Sequence, residues 1–598
     1  MSEPSSHRRR PAGAGVPAAA ASLPRVTLAL LLASATALLG ACMGSPFRNS
    51  AGDYHPPTSM ERLRTIRNLD LSDAAVGEPP PPEEDLADQI ERFRAEPNPF
   101  EGRETYELTL EQCRAWVLEN NLDIHVALVN PVIANQSLSI EEAAWESVFF
   151  VNARHSESDQ PTDSQLSGSQ TEFDQLTPGL RVPLRTGGQI NLSTPFTRAE
   201  TDNIFSTLNP SYTADFNLTI SQPLLRGGWR RANTYALRIE AINNDLTNAA
   251  TKLEVIRQLS QADRAYWGLF AIQRVLDVRI RQYQLATEQL DRAERRVRLQ
   301  EAAQIEVTRA QAAAAERLEG IIQARNAFLQ AQRELKRVMN TDGLGVRSDV
   351  LLNLVTDPQP VEYALNPDTL ADDALAGRME MLQLELQLAQ DLSTIDFLKN
   401  QALPLFSMDY SYNVNGLGDS FSNAVSVTRR HRFEDWSLGV NFEVPIGNEA
   451  AEARVHRAIL QRLQRLSTRQ AQVQAIEQEV FNAVDGINSA WQRILAARIN
   501  VLLAQRTYDA EVNQFNQGLR TSTDVSDAAA RLSEAESTAI RALADYEIAQ
   551  VDLAFATGTT LGATRTRWTP WDPRTPADNF GERPENSRPL TYPALRED

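Results

Sequence analysis

The residues best placed for chemistry share one turn. Asn513 to Asp527 carries two carboxylates, Asp524 and Asp527, one helical turn apart and close behind Arg520. Carboxylates in the first turn of a helix serve the positive end of its dipole and its cap. Gly518 predicts the end of one helix, because glycine enters the left-handed cap without strain. Thr521 or Thr523 can cap the next. Catalytic patterns are missing: there is no Gly-rich phosphate loop, no Cys-x-x-Cys pair and no His-Glu-x-x-His. His7, His55, His125, His155, His431 and His456 are scattered, and none pairs with another at ligand spacing. The Ser-rich stretches 156–170 and 420–426 read as surface loops. The expectation is a protein that is not an enzyme and needs no metal or cofactor. A net charge of −19 argues against a nucleic-acid partner.

Such a turn needs long helices to hold it. No proline occurs between Pro445 and Pro570, which predicts helices from about Glu449 to Phe515 and from Thr521 to Thr557. None occurs between Pro223 and Pro358 either. Trp229 to Arg298 can form about 70 helical residues, about 105 Å at the helical rise, followed by Gln304 to Met339. Helices this long and thinly apolar need neighbours in a coiled-coil-like array. Thr109 to about Val148 and Thr369 to Lys399 are also helical, with a kink or break at Pro131.

Between helices the period changes to two. Alternation marks Phe149–Ala153, Leu180–Pro183, Gln189–Thr194, Tyr212–Ile220, Leu405–Val414 and Trp436–Val444. Loops are expected at 156–175, 415–423 and 340–366. One apolar and one polar face suits a membrane β-strand and equally a half-buried soluble sheet.

The two halves repeat. A shift of 257 sets Asp123 on Glu380 and Phe149 on Phe406. A shift of 218 sets Glu306-Val307 on Asp524-Val525, Phe328 on Tyr546 and Gly268 on Gly486. The first half carries about 35 extra residues in its strand region, a duplication of one unit with one insertion. The organisation read is a signal peptide at 1–41, a Pro-rich linker at 42–104, a first repeat at 105–345 with strands in 149–222 and an inter-repeat loop at 346–366. A second repeat at 367–560 with strands in 405–444 and a Pro-rich tail at 561–598 follow.

At the start, Arg8, Arg9, Arg10 and Arg25 precede an apolar run, Val26 to Leu39, too short to span a bilayer. It ends Leu39-Gly40-Ala41-Cys42, which resembles a bacterial lipobox. That resemblance implies cleavage before Cys42 and a covalent lipid on it. Cys113 then has no partner, and reads as a small core residue with no intrachain disulfide.

Leu108-Thr109-Leu110-Glu111-Gln112, Leu118 to Asp123, the tip and the order of elements over 105–560 together resemble the TolC-like outer-membrane efflux family. The resemblance implies an α+β fold in which long antiparallel helical hairpins, an α-barrel, join transmembrane strands. Each of three chains would give four strands to one 12-stranded β-barrel. The surplus hairpin near 180–194 would be a loop elaboration or a piece at the rim. The implied function is the outer-membrane channel subunit of a tripartite efflux or type I secretion system. Its partners would be two further copies, a periplasmic membrane-fusion adaptor, an inner-membrane transporter and outer-membrane lipid. Gly518, Leu519, Thr521, Asp524 and Asp527 match the family's second-repeat tip, where aspartates line the periplasmic entrance, and Arg520 and Phe515 match positions that hold it shut. Phe515 replaces a tyrosine and loses its hydroxyl. In the first repeat Gln300 stands where glycine is expected and Glu306 where aspartate is, so that turn is expected to be looser or longer. The rival reading, a periplasmic coiled-coil adaptor or structural lipoprotein, would carry a compact Gly-rich β-domain between its hairpin helices, and none is visible.

Overall fold

The computed structural model describes residue 100 and residues 102–161 and 168–569. The signal peptide, Cys42, nearly all of the linker and the tail from 570 lie outside them. Strand β1 (Thr105–Leu108) leads into helices α1 (Leu110–Asn120) and α2 (Leu122–Glu142). Strands β2 (Val148–Asp159), β3 (Gln170–Pro183), β4 (Gln189–Ser193), β5 (Phe196–Thr201), β6 (Ser211–Ala214) and β7 (Phe216–Pro223) follow. Two long helices, α3 (Tyr235–Arg298) and α4 (Gln304–Met339), close the first half. Strand β8 (Leu351–Leu354) opens the second half. Next come α5 (Pro367–Gly377), α6 (Met379–Gln401), β9 (Leu405–Val414), β10 (Leu417–Gly418), α7 (Phe421–Arg429), β11 (Glu434–Glu443), α8 (Glu449–Asn516) and α9 (Ser522–Ala556).

The repeat shifts reappear as element boundaries. The first shift carries the start of α1 onto that of α5, the start of α2 onto that of α6, and the start of β2 onto that of β9. The second carries the start of α4, Gln304, onto that of α9, Ser522. Equivalent caps begin the first pair. Thr109 forms a capping box with Gln112, and Asn366 accepts from the Asp368 amide.

The core lies where the short helices cross the long ones. Cys113 and Val117 of α1 pack with Leu259, Tyr266, Trp267 and Phe270 of α3, Leu335 and Met339 of α4, and Leu352 and Leu354 of β8. Burial pushes the Cys113 thiol up to about 12, as suits an inert core residue. Arg114 crosses to the buried Asp263 with two bonds of 2.8 Å. A parallel ladder of β1 on β8 seals this region. Lys336 donates from Nζ to the carbonyls of Ser348 and Val350, and the Tyr266 hydroxyl donates to Leu108 at 3.0 Å. The expected loop at 340–366 therefore holds a strand, fixed by main-chain pairing that four residues cannot signal.

Three further expectations change. The break assigned to Pro131 falls at Asn121, and α2 runs through the proline. The expected loop at 156–175 is ladder at both ends, since β2 and β3 pair as far as Asp159 and Gln170, while 162–167 lie outside the described residues. Main-chain hydrogen bonds hold polar residues there as readily as apolar ones. The expected loop at 415–423 contains β10 and the start of α7. Gly416 and Gly418 admit that helix, because a Cβ at either would strike Thr428 or the Ala424 amide.

The sheet brings the largest correction. Nine strands form one antiparallel sheet, but β4 with β5, β6 with β7, and β9 with β10 are broken single ranks. Six ranks lie side by side in the order β2, β3, β4–β5, β6–β7, β9–β10, β11. The surplus hairpin is thus neither loop nor rim piece. Its strands are hydrogen-bonded into the plane of the sheet, between β2 and β6–β7, so the chain supplies six ranks where four were expected. An inserted pair keeps strand parity, so β7 still runs back toward the helices and α3 can start where it must.

Candidate functional site

Two regions carry the features that chemistry or transport would use. The first is the sheet. Register alone places Phe149, Leu180, Leu192, Leu218, Tyr412 and Trp436 in one row across all six ranks. The neighbouring row on the same face is Val182, Ile190, Ile220, Tyr410 and Leu438. The opposite face carries Arg181, Asn191, Thr219, Ser411 and Ser437 in one row, which Val148 of β2 ends on an apolar residue. An apolar face this broad normally packs on a core, yet here much of it meets solvent: Phe149 is 68% exposed, Trp436 69% and Phe442 62%. Beyond the apolar band, His155, Glu172, Asp174 and Arg198 cluster at the far end of β2, β3 and β5. His155, Glu172 and Asp174 are the one group among the described residues spaced to hold a metal. Arg198 already contacts both carboxylates, at 3.3 and 3.2 Å, and Glu200 as well, so the cluster has a cationic partner without an ion.

The second region is the pair of helical turns at the other end of the chain's long helices. Gly518 has φ +76°. Its amide donates to Phe515 at 2.9 Å, and the Leu519 amide donates to Gln514 at 2.9 Å, a paired C-terminal cap. Thr521, not Thr523, caps α9. Its hydroxyl accepts from the Asp524 amide at 3.4 Å, while Asp524 accepts from the Thr521 amide at 2.9 Å. These Thr521 donors, with Arg520 beside them, hold the Asp524 carboxyl below its usual range. Arg520 donates from Nε to Gln514 at 3.0 Å and lies 3.3 Å from Glu511. Phe515 lies under the Arg296 guanidinium, 5.6 Å from the ring centre. Leu519 is 71% exposed and Asp527 is exposed.

The first turn was expected to be looser or longer, and it is neither. Gln300 takes the left-handed conformation itself, φ +62°. Its amide donates to Val297 at 2.9 Å, and the Glu301 amide donates to Arg296 at 2.8 Å. The second repeat shift carries each of these bonds onto its counterpart at Gly518. The hydrogen-bond pattern outweighs the missing glycine, at a backbone cost of about 1–2 kcal/mol. What the first turn lacks is the side-chain cap: Ala303 stands at the N-cap of α4 and has no oxygen to offer. Glu306 instead accepts from Arg309 at 3.1 Å and from the Ser522 hydroxyl of the other turn. The structure therefore ties Glu306 to the second turn and Phe515 to Arg296 of the first.

Residues 370–559 match the family described as OEP, outer membrane efflux protein. The matched segment is 190 of the chain's 598 residues. Over 205 residues the chain is 25% identical to the outer membrane protein TolC of Vibrio cholerae serotype O1. The match covers 33% of this chain and 46% of that one, so this chain spans less than half of that relative's length. Solved channels share the fold over a longer stretch. The Campylobacter jejuni CmeC outer membrane channel is 15% identical with a TM-score of 0.57, covering 75% of this chain and 86% of its own. The outer membrane protein VceC of Vibrio cholerae is 12% identical with a TM-score of 0.56, covering 75% and 96%.

Within this fold, sequence reasoning missed a matched pair of joints. Asn121 breaks α1 from α2, and Arg378, its equivalent under the first repeat shift, breaks α5 from α6. Asn121 donates from Nδ2 to the Val338 carbonyl at 2.8 Å. Arg378 donates from Nη1 to the Ala556 carbonyl at 3.3 Å, and Ala556 is the equivalent of Val338 under the second shift. Two chemically unlike side chains thus tie equivalent helix ends. Arg378 is also buried against Glu380 and Glu479, which hold its guanidinium in the charged form against the burial cost. The repeat shifts were the signal that could have found this pair.

Proposed function

We propose that the chain is a subunit of an outer-membrane efflux channel, a passive duct whose energy comes from an inner-membrane transporter reached through a periplasmic adaptor. The observation that carries this reading is the sheet. One face is apolar, rank after rank, the other is largely polar except in β2, where Val148 and Phe150 stand on it, and the sheet is joined to helices of 64 and 68 residues, about 95–100 Å at the helical rise. Among the described residues no helix is long and apolar enough to cross a membrane, so contact with lipid falls to the strands. An apolar outer and polar inner face is what a transmembrane barrel requires. Three copies would form the assembly, and lipidation of Cys42 would add an anchor in the same membrane.

The turns would be its periplasmic end. Asp524 and Asp527 in each copy would form an acidic ring. Phe515, Gly518, Leu519, Arg520, Thr521 and Glu306 would shape the closed state. The Arg520 contacts to Glu511 and Gln514, and the Ser522–Glu306 bond between the two turns, are the links that opening would break.

The test is conductance of the purified protein in planar bilayers. Wild type should give stable single-channel steps with cation preference. The double variant Asp524→Asn/Asp527→Asn should conduct with that preference reduced several-fold, and Arg520→Ala should open more often. Silence from both wild type and Arg520→Ala, together with solubility without detergent after removal of the lipid, would overturn the channel and leave the adaptor reading.

A further inference from the structure

We propose that the closed barrel is built from eighteen strands, six from each of three copies, with β11 of each copy pairing antiparallel with β2 of the next. This inference rests on the channel reading and on assembly from three copies, and it adds the width of the wall.

Three observations carry it. First, the hairpin that makes up the surplus in the first repeat lies in the sheet. β3 pairs with β2 over twelve positions and with β4 over five, and β4 pairs with β7 over five. Removing β3 and β4–β5 would leave a gap two ranks wide between β2 and β6–β7. Second, the added ranks carry the same facing as the rest. Leu180 and Leu192 stand in the row that runs from Phe149 to Trp436, and Arg181 and Asn191 stand on the polar side. A rim elaboration bathed in water on both sides would have no reason to keep that alternation in step. Third, the sheet ends on two long strands without protection. β11 spans 10 residues, all exposed, and β2 spans 12, nearly all exposed. Neither contains a proline or a lysine, and their charged residues stand toward the ends (Arg154, Glu157 and Asp159 in β2; Glu434, Asp435 and Glu443 in β11), which leaves Val148–Ala153 and Trp436–Phe442 without the devices that blunt a free edge.

Main-chain N–H and C=O groups inside lipid must be satisfied by protein. The occupant that satisfies both edges at once is another copy of this chain. Direction agrees, because the sheet is antiparallel throughout and its rank number is even, so β11 and β2 run in opposite senses. Length agrees too, because both edge strands are long enough to cross the hydrocarbon when tilted, which takes about 9–11 residues. Barrel diameter grows roughly in proportion to strand number. Eighteen strands would therefore give a bore about one and a half times as wide as twelve. The wall would not limit what passes, and the turns at the far end of the helices would.

The experiment is spin labelling of single cysteines in the full-length protein, reconstituted in phosphatidylcholine–phosphatidylglycerol vesicles. Cys113 is replaced by alanine, and the parent lacking an added cysteine serves as the blank. Labels at Leu192→Cys on the added rank and Leu438→Cys on β11 should relax strongly with dissolved oxygen and be several-fold protected from an aqueous nickel chelate. Asn191→Cys and Ser437→Cys should show the reverse. Lipid exposure at Leu438→Cys with water exposure at Leu192→Cys would overturn the six-rank wall and leave the channel standing. Water exposure at both would overturn the channel reading and this inference with it. Electron-microscopic cross-sections of the assembled barrel supply the count. Eighteen strands support the proposal, and twelve, whether from three copies of four or two copies of six, overturn it.

Discussion

Gln300 and Gly518 occupy the same left-handed cap in the two turns, and only one of them is a glycine. Gln300→Gly should relieve backbone strain and stabilise the first turn by about 1 kcal/mol, seen as slower hydrogen exchange at the amides of 299–303. Gly518→Ala should loosen the second by a similar amount. No atom lies near enough to clash with the new Cβ, so backbone strain alone sets the sign. Unchanged exchange in both variants would show that the caps carry no strain. A second residue-scale effect concerns Glu547, whose carboxyl burial pushes up from 4.5 to about 7. A carboxyl raised on folding favours the protonated folded state, so its contribution is present below about pH 4.5 and is lost as pH rises toward 7. Glu547→Gln should hold its stability across that window while wild type declines. Parallel denaturation curves for the two proteins from pH 4.5 to 7 would refute it. The Asp524 carboxyl behaves oppositely. Its pKa is depressed, so its support for the turn persists above the ordinary carboxylate range and fades as pH falls through the lowered value.

The joints make predictions at the scale of elements. Asn121→Ala removes the cap of α2 and leaves the Val338 carbonyl without its partner, a cost of about 1–2 kcal/mol. Arg378→Ala leaves the Ala556 carbonyl and the carboxylates of Glu380 and Glu479 unpaired at once, about 2–3 kcal/mol. Hydrogen exchange should rise in α1, α2 and the end of α4 for the first variant, and in α5, α6 and the end of α9 for the second. Exchange that rises equally in both halves would show that the repeats are not separately jointed. The long helices and their turns were legible because proline spacing, one glycine and a 3.6-residue period act locally. The strand facing was legible because a period of two survives in any register. The parallel ladder of β1 with β8, helix α7 and the joints were not, since each rests on partners distant in the chain or on a glycine whose value is the space it leaves.

At the scale of the molecule, the duplication set the order of elements, and the surplus in one copy was visible as a length. Where that surplus went was not visible. Alternation within a short segment does not say which strand lies beside it, and the same hairpin could have stood in water. Pairing decides it, through β4 on β7. Closure changes what the surplus does. In the proposed three-copy barrel, two ranks added once per chain would be added three times per assembly, so one insertion in one gene would reshape the whole bore while each chain keeps its helices.

The two open edges of the sheet also set how the proposed barrel would have to be made. A lone copy in lipid would strand the main-chain groups along β2 and β11, so the inserted monomer is not a resting place on the route. Insertion and association become one event. Its rate should then scale with a power of protein concentration greater than one, and dilution of the unassembled chain should stall it on the aqueous side.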